Sequence, residues 1–561
     1  MYGPVAAATG VGPLGTRQIT MTDRITDRIS RRSALKSLAV SGTVGLAGCG
    51  GVFSGSETEY GPTDVPPKQQ GIKEWGEKLN EHARQANIDW EQFSGDDIEL
   101  TFGMGLHPYS TTFSTTSEDG TAVKDYFEDL TGITVNYEIV SEDKFWSETE
   151  SALASDDNPY DGIMNGLWPS GGYHFGDDGE SWVRDLIPLI NNASLTDKQW
   201  LKMGDFRRQT IELMSYPNAD GTVELTAMPN GIEFYGGTAI HKPTFETLGL
   251  AEPTNFAELE YCARSIAESD QVSRQGIVSR TSSATLSAAN WATMFKTYGG
   301  EWIDRENRTA TLNDERGVQS LRRFGRMLNQ YGPSAPGTYD WYSNNDAYSN
   351  GDVGIMYSTP QTSGIVDTQI MRETKWLPPL PTEDGRDPVV DTWVWATGIT
   401  ATSDNPEAAW LYIQWANSRM ANLLLSTRQW QGDGPRAGYA RFNYIQNQIE
   451  QGNAPPVPGE GYIEAFNQGM DAVPGGKPDS PDEYPPVPVD TPQNMNIMRR
   501  AAGAMSSVVS GQRTAQAALD EAATTIENEE LLSESSIPER YVADDRFLDR
   551  DYGQQYGTNG N

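Results

Sequence analysis

Between Ile98 and Met164 the chain alternates strand patterns with helix patterns, which restricts the fold to an α/β architecture with a parallel sheet flanked by helices. Residues 98–102 alternate as a first strand. Residues 121–130 follow as a helix, with Val123, Tyr126, Phe127 and Leu130 on one face. Thr131-Gly132 ends that helix, and residues 133–140 are a second strand. A helix over 143–154 and a short buried strand over 160–164 complete the run. Ligands on such sheets sit at the carboxyl ends of the strands, so residues 165–173, read as a loop, lie at the expected site.

Further along, helices are expected over 255–269, 317–331 and 405–417, with a strand over 389–400. A proline-rich loop spans 474–492, a long helical segment runs over 494–529, and an acidic tail occupies 531–561. No internal repeat is visible. At 561 residues the chain exceeds what one core serves, and two or more lobes are expected.

Lys plus Arg is 42 against 78 Asp plus Glu, a net charge of −36. That balance repels phosphate backbones and argues against a nucleic-acid partner. The carboxylates are dispersed among apolar residues, which suits a protein kept soluble in strong salt, as in a halophilic archaeon. Cys49 and Cys262 cannot build a metal cluster or a disulfide framework, and Cys262 reads as a small buried hydrophobe.

The N-terminus carries an address. Ser30-Arg31-Arg32-Ser33-Ala34-Leu35-Lys36 resembles the twin-arginine export motif, and a short, glycine-containing apolar stretch follows it. Leu46-Ala47-Gly48-Cys49 resembles a lipobox, which makes Cys49 the expected lipidation site. Residues 1–20 resemble no part of such a signal, so Met21 competes with Met1 as the start. Residues 50–97 read as a tether and N-terminal extension, rich in Gly, Ser, Thr and Pro up to about residue 67. No later stretch reaches the about 18 apolar residues of a membrane helix. The chain is therefore expected on the extracellular face of the cell membrane, held by lipid.

Met228-Pro229-Asn230-Gly231-Ile232-Glu233-Phe234-Tyr235-Gly236-Gly237, leading to His241-Lys242-Pro243 and Gly249-Leu250, resembles the signature of the family 1 extracellular solute-binding proteins. These are the maltose-binding-protein-like receptors of ABC importers. His241-Lys242 stands where the family has Asn-Lys. Ala251-Glu252-Pro253-Thr254-Asn255-Phe256, Thr297-Tyr298-Gly299-Gly300 and Asn350-Gly351-Asp352-Val353-Gly354-Ile355-Met356 resemble further family segments in order. So do Trp393-Val394-Trp395-Ala396-Thr397-Gly398-Ile399, Asn405-Pro406-Glu407-Ala408-Ala409-Trp410 and Ser510-Gly511-Gln512. The resemblance implies a two-lobed periplasmic-binding-protein type II fold with a ligand cleft between the lobes. It places lobe one at 98–232 plus 386–432 and lobe two at 233–385 plus 433–530. It also implies a carbohydrate ligand, ABC permease partners, a monomer, no cofactor and no catalysis.

A sugar site wants aromatic platforms with carboxylates and amides. Alignment of the crossover motif places Glu233 at a ligand-facing carboxylate position with Tyr235 beside it, and the strand-end segment supplies Asn165 and Trp168. Trp393 and Trp395 alternate on one strand and so face one side, either cleft or core. Trp291, with core the plainer reading, Tyr357 and Gln361 complete the candidate set. Trp430 and Arg436 flank a third expected crossover, where Arg436 would either grip an anionic solute or pair structurally. A receptor for glycerol phosphate, a polyamine or a metal complex, and a secreted glycoside hydrolase with paired carboxylates, are the competing readings. Four scattered histidines form no metal-ligand spacing, and neither a nucleophile elbow nor a phosphate loop is present. A Cys49→Ser variant is expected to leave the membrane fraction for the soluble one on cell fractionation; retention would remove the lipid anchor.

Overall fold

Strand β1, Glu99–Gly105, runs parallel to β2, Thr134–Val140, and to β3, Gly162–Gly166. Its residues Leu100, Phe102 and Met104 are buried. The helix Asp125–Thr131 between β1 and β2 stops at Gly132, whose φ of 76° is left-handed and whose N–H donates to the carbonyl of Glu128. Only glycine takes that conformation without strain, and the turn feeds the chain straight into β2. The protein is described here by a computed structural model, over residues 72–117, 120–155, 157–176, 180–217, 222–304, 306–360, 362, 368–427, 435–436, 459–474 and 491–533. Cys49, Arg31, Arg32, Gln361 and Trp430, like the acidic tail beyond residue 533, lie outside the described residues.

Two principal sheets organise the chain. The first has the order β2-β1-β3-β13-β6, where β6 is Met228–Phe234 and β13 is Thr392–Ile399. The second has the order β12-β7-β11-β8, built from β7 Gly237–His241, β8 Gln275–Val278, β11 Val353–Ser358 and β12 Thr374–Leu377. Two small hairpin pairs complete the strands, β4 Ser215–Pro217 with β5 Val223–Leu225, and β9 Ile303–Asp304 with β10 Thr309–Ala310.

Three expectations are corrected. The first sheet is mixed, because β13 runs antiparallel to both β3 and β6. The chain leaves this sheet at the end of β6 and re-enters from the same side, so the returning strand has to run the other way. Residues 165–173, read as loop, instead finish β3 and enter the helix Leu167–Phe175. Pro169 falls in its first turn, where a missing N–H is harmless, and burial of nearly every residue outweighs the weak propensity of Gly171-Gly172. The long helix over 494–529 is broken at Gly511, φ 74°, into Asn494–Val509 and Ala515–Asn528. Thr514 caps the second by accepting from the N–H of Ala517.

The first sheet's core extends N-terminally. The helix Ile72–Ala83 buries Trp75, Leu79 and Ala83. Its Asn80 donates to the carbonyl of Tyr126 at 2.6 Å and accepts from the Trp415 indole at 3.1 Å. The Trp200 indole donates to the carbonyl of His82 at 2.9 Å. Across the sheet, the hydroxyls of Tyr137 and Tyr412 are hydrogen-bonded to each other.

The sheets are joined where the chain passes from Phe234 to Gly237 and returns between Leu377 and Thr392. Glu233 and Phe234 still pair with Trp393 and Thr392, so the first sheet runs two residues past the expected boundary. The helix Ala289–Thr297 holds both passages. Its Asn290, Thr293 and Thr297 are spaced three and four apart, hence on one face. Thr293 Oγ1 donates to the carbonyl of Tyr235 and accepts from the N–H of Asp391, both at 2.9 Å. Asn290 Oδ1 accepts from the N–H of Gly236 at 3.2 Å, and Thr297 Oγ1 accepts from the N–H of Val389 at 3.1 Å. Thr293→Val keeps the shape but strands two buried backbone groups, at a cost of about 1–3 kcal/mol each. It is expected to lower the denaturation midpoint while Thr293→Ser does not; equal midpoints for both would remove the clasp.

Candidate ligand cleft

The carboxyl ends of β1 and β3 and the inner strand β13, with the helix that follows β2, bring five rings together. Trp393 and Trp395, two apart on β13, face one side as their period demands, with ring centroids 5.2 Å apart. Trp146, from the helix Glu142–Leu153, packs edge-on to Trp393 at 5.6 Å and stacks on Trp395 at 5.9 Å. Trp168 meets Trp393 edge-on at 5.7 Å. The imidazole of His107 lies 3.9 Å from the Trp395 ring. Gly166 is a steric necessity here, since a Cβ would stand 2.2 Å from Cζ2 of Trp393.

A carboxylate is set into this aromatic group. Glu233, opposite Trp393 in register, is buried, and its Oε1 accepts from the Trp395 indole at 2.9 Å. The indole N–H groups of Trp146, Trp168 and Trp393 are buried with no hydrogen-bond partner. Such orphaned donors are costly unless a ligand oxygen completes them. The amide of Asn165 shapes the strand end, its Oδ1 accepting from the Gly166 N–H at 2.8 Å and its Nδ2 donating to Ser170 at 3.3 Å.

Tyr235 sits at the crossover itself, its N–H donating to the carbonyl of Asp391 at 2.8 Å. Burial pushes the carboxyl of Asp391 well above the usual range; Oδ1 accepts from the Thr392 N–H, and Oδ2 has no partner. Tyr357 rises beneath the crossover, with its hydroxyl 2.8 Å from where a Cβ on Gly236 would stand. That hydroxyl is buried without a partner, and burial raises its pKa.

The remaining candidates lie elsewhere. Trp291 belongs to the second sheet's core, donating to Ser320 at 3.2 Å and packed against Phe295 and Trp302. Arg436 pairs structurally, since its guanidinium donates to the carbonyls of Asn417 and Lys202 and covers the Phe206 ring at 4.0 Å. Burial pushes the Cys262 thiol up to about 12, which suits an inert side chain. Among the described residues no group of three or more His, Cys, Asp or Glu is placed to hold a metal.

Sequence reasoning missed His107 and Trp146. His107 follows β1 at its carboxyl end, the same logic that singled out Asn165 at the end of β3. It caps the helix Pro108–Ser114 by accepting from the Tyr109 N–H, and burial lowers its pKa to about 3. An unfolded histidine titrates near about 6.5, so below that pH the unfolded chain takes up a proton that the folded chain refuses. Stability therefore falls as pH falls from about 6.5 towards 3. His107→Asn, which keeps a cap acceptor, is expected to flatten this slope by up to about 1.4 kcal/mol per pH unit between about pH 6 and 5. Urea midpoints read it, and identical slopes for both proteins would contradict the assignment.

Comparison with known proteins agrees with this geometry. Residues 114–422, more than half of the chain, match the bacterial extracellular solute-binding proteins. The erythritol/L-threitol-binding protein of Mycolicibacterium smegmatis is 25% identical over 350 residues, covering 59% of this chain and 69% of that one. An ABC transporter solute-binding protein from Agrobacterium vitis with bound D-mannitol shares the fold at a TM-score of 0.61 and 19% identity, covering 79% of this chain and 100% of that one. Maltose-bound MalE3 of T. maritima does so at 0.59 and 16%, covering 77% and 100%. With two sheets, two passages and the solute-binding fold in place, the chain belongs to the bacterial extracellular solute-binding protein family.

Proposed function

We propose that the protein captures a carbohydrate or polyol between its two lobes and delivers it to an ABC permease. The observation that carries the reading is the Glu233–Trp395 hydrogen bond inside the aromatic group at the crossover. Indole faces suit the apolar C–H surfaces of sugars and polyols, while a carboxylate and orphaned indole N–H groups suit their hydroxyls. The names of the relatives, which bind erythritol, D-mannitol and maltose, point the same way. Trp168, Glu233, Trp393 and Trp395 are the proposed contacts in the first lobe, with Asn165 shaping the strand end and Tyr235 and Tyr357 at the crossover. Gln361 and Trp291 are weaker members of that set, the latter because its ring is held in the core.

The lobes, parted near residues 235–236 and 378–391, close over the solute by hinge motion. The protein acts as a receptor without turnover, as a monomer. Export by the twin-arginine route, a lipid on Cys49 and a surface adapted to strong salt belong to the same reading, supported by Arg31-Arg32, by the lipobox-like segment and by the charge of −36.

Thermal-shift and calorimetric titration of the purified chain in high salt test this with erythritol, ribitol, D-mannitol and maltose. Ligand at 100-fold its Kd is expected to add about 2.7 kcal/mol to the folded state. Trp395→Phe removes the buried hydrogen bond and Glu233→Gln removes the charge while keeping an acceptor; each is expected to weaken binding by about tenfold or more. Conversion of a bound glycan to products would overturn the receptor reading, and unchanged affinity in both variants would overturn the site.

A further inference from the structure

The second sheet presents its own polar edge to the crossover. Strand β8 runs parallel to β11, with Ile277 opposite Ile355 and Val278 opposite Met356. Extended two residues beyond the paired positions, the same register leads to Arg280 on one strand and Ser358 on the other, and Ser358 pairs with Gly237, the first residue of β7. Arg280, Ser358 and Gly237 thus form a row across the strand ends, four residues along the chain from Glu233. Ser358 Oγ accepts from Asn344 Nδ2 at 3.2 Å, which brings the helix Trp341–Ser349 to the same place.

Three polar groups on these strand ends and on that helix are buried and unanswered. Asn344 Oδ1 and Asn345 Nδ2 have no hydrogen-bond partner, nor does Nε of Arg280, a residue only 6% exposed. No carboxylate of the described residues lies within ion-pair distance of that guanidinium. Arg274 and Arg326, by contrast, are engaged. Arg274 donates to the carbonyls of Gly351 and Val353, and Arg326 is bidentate to Glu260. The backbone beyond Arg280 is pinned, with the N–H groups of Thr281 and Ser282 both donating to the carbonyl of Tyr339.

A buried guanidinium N–H without an acceptor is costly, and a ligand oxygen would relieve that cost. The guanidinium's planar fork matches the two oxygens of a carboxylate or phosphate, and such charge-assisted pairs are about twice as strong as bonds to neutral hydroxyls. We propose that Arg280, with Nδ2 of Asn345, forms a second-lobe subsite for the oxyanion of an anionic sugar or polyol, while Asn344 Oδ1, an acceptor, takes a hydroxyl of the same solute. The indoles and Glu233 of the first lobe hold the neutral hydroxylated body of the same solute. This rests on the reading of the cleft as the solute site, and it adds the charge of the ligand.

The test is calorimetric titration of the full chain with D-mannitol, D-mannonate and D-mannitol 1-phosphate, a set matched in its carbon chain. One of the two anions is expected to bind at least about tenfold tighter than D-mannitol, and which one it is separates carboxylate from phosphate. Arg280→Gln is expected to weaken that anion about thirtyfold and D-mannitol less than about threefold, with Arg280→Lys in between. Without ligand, Arg280→Gln is expected to melt no lower than the parent, because it removes an unpaired buried charge; a purely structural arginine would lower the melting point. D-mannitol binding as tightly as both anions, or equal weakening of all three by Arg280→Gln, overturns the oxyanion subsite and leaves the solute reading standing. Binding of maltose but none of the three does the same. Failure of the folded protein to bind any of the four overturns both.

Discussion

The helix Ala289–Thr297 packs in the second sheet's layer, yet the hydrogen bonds of one face go to strands on their way to and from the first. Thr293 stands between the outgoing Tyr235 and the returning Asp391, which are bonded to each other as well. Three backbone segments therefore meet at one hydroxyl. Everything proposed for the cleft depends on this junction, because it sets Glu233 and Trp395 on one side and Gly237 with Ser358 on the other. The clasp is made of short side chains and backbone groups, so it holds the two passages in register without filling the space beside them.

Much of the architecture was legible from pattern alone. The strands of the first sheet followed from alternation and from Thr131-Gly132, where local chemistry and tertiary role agree. Trp393 and Trp395 were legible as a same-side pair because a strand's period is two. Leu167–Phe175 was not, since Pro-Ser-Gly-Gly signals a loop locally while burial against the sheet makes it a helix. The direction of β13 was not legible either, being a consequence of where the chain re-enters.

The candidate site was legible only in part, for a related reason. The structure brings Trp168, Trp393 and Trp395 together and hydrogen-bonds Glu233 to the last of them. His107 and Trp146 join them through packing between segments distant in sequence. Arg280 has no motif around it; its interest lies in the lack of an acid partner, which only three dimensions reveal. Arg436, open in the sequence to an anionic solute or to structural pairing, takes the second course, its guanidinium bonded to Asn417 and Lys202.

The helix Ile72–Ala83 is sewn into the first sheet's layer by Asn80, which touches both Tyr126 and Trp415. In mechanical terms, tension arriving from the N-terminal side of Ile72 is borne by the first sheet's core and does not pass through the junction at Thr293. The second sheet hangs beyond that junction and carries none of the load. A pull transmitted along the backbone from the N-terminus thus leaves the clasp at Thr293 unloaded.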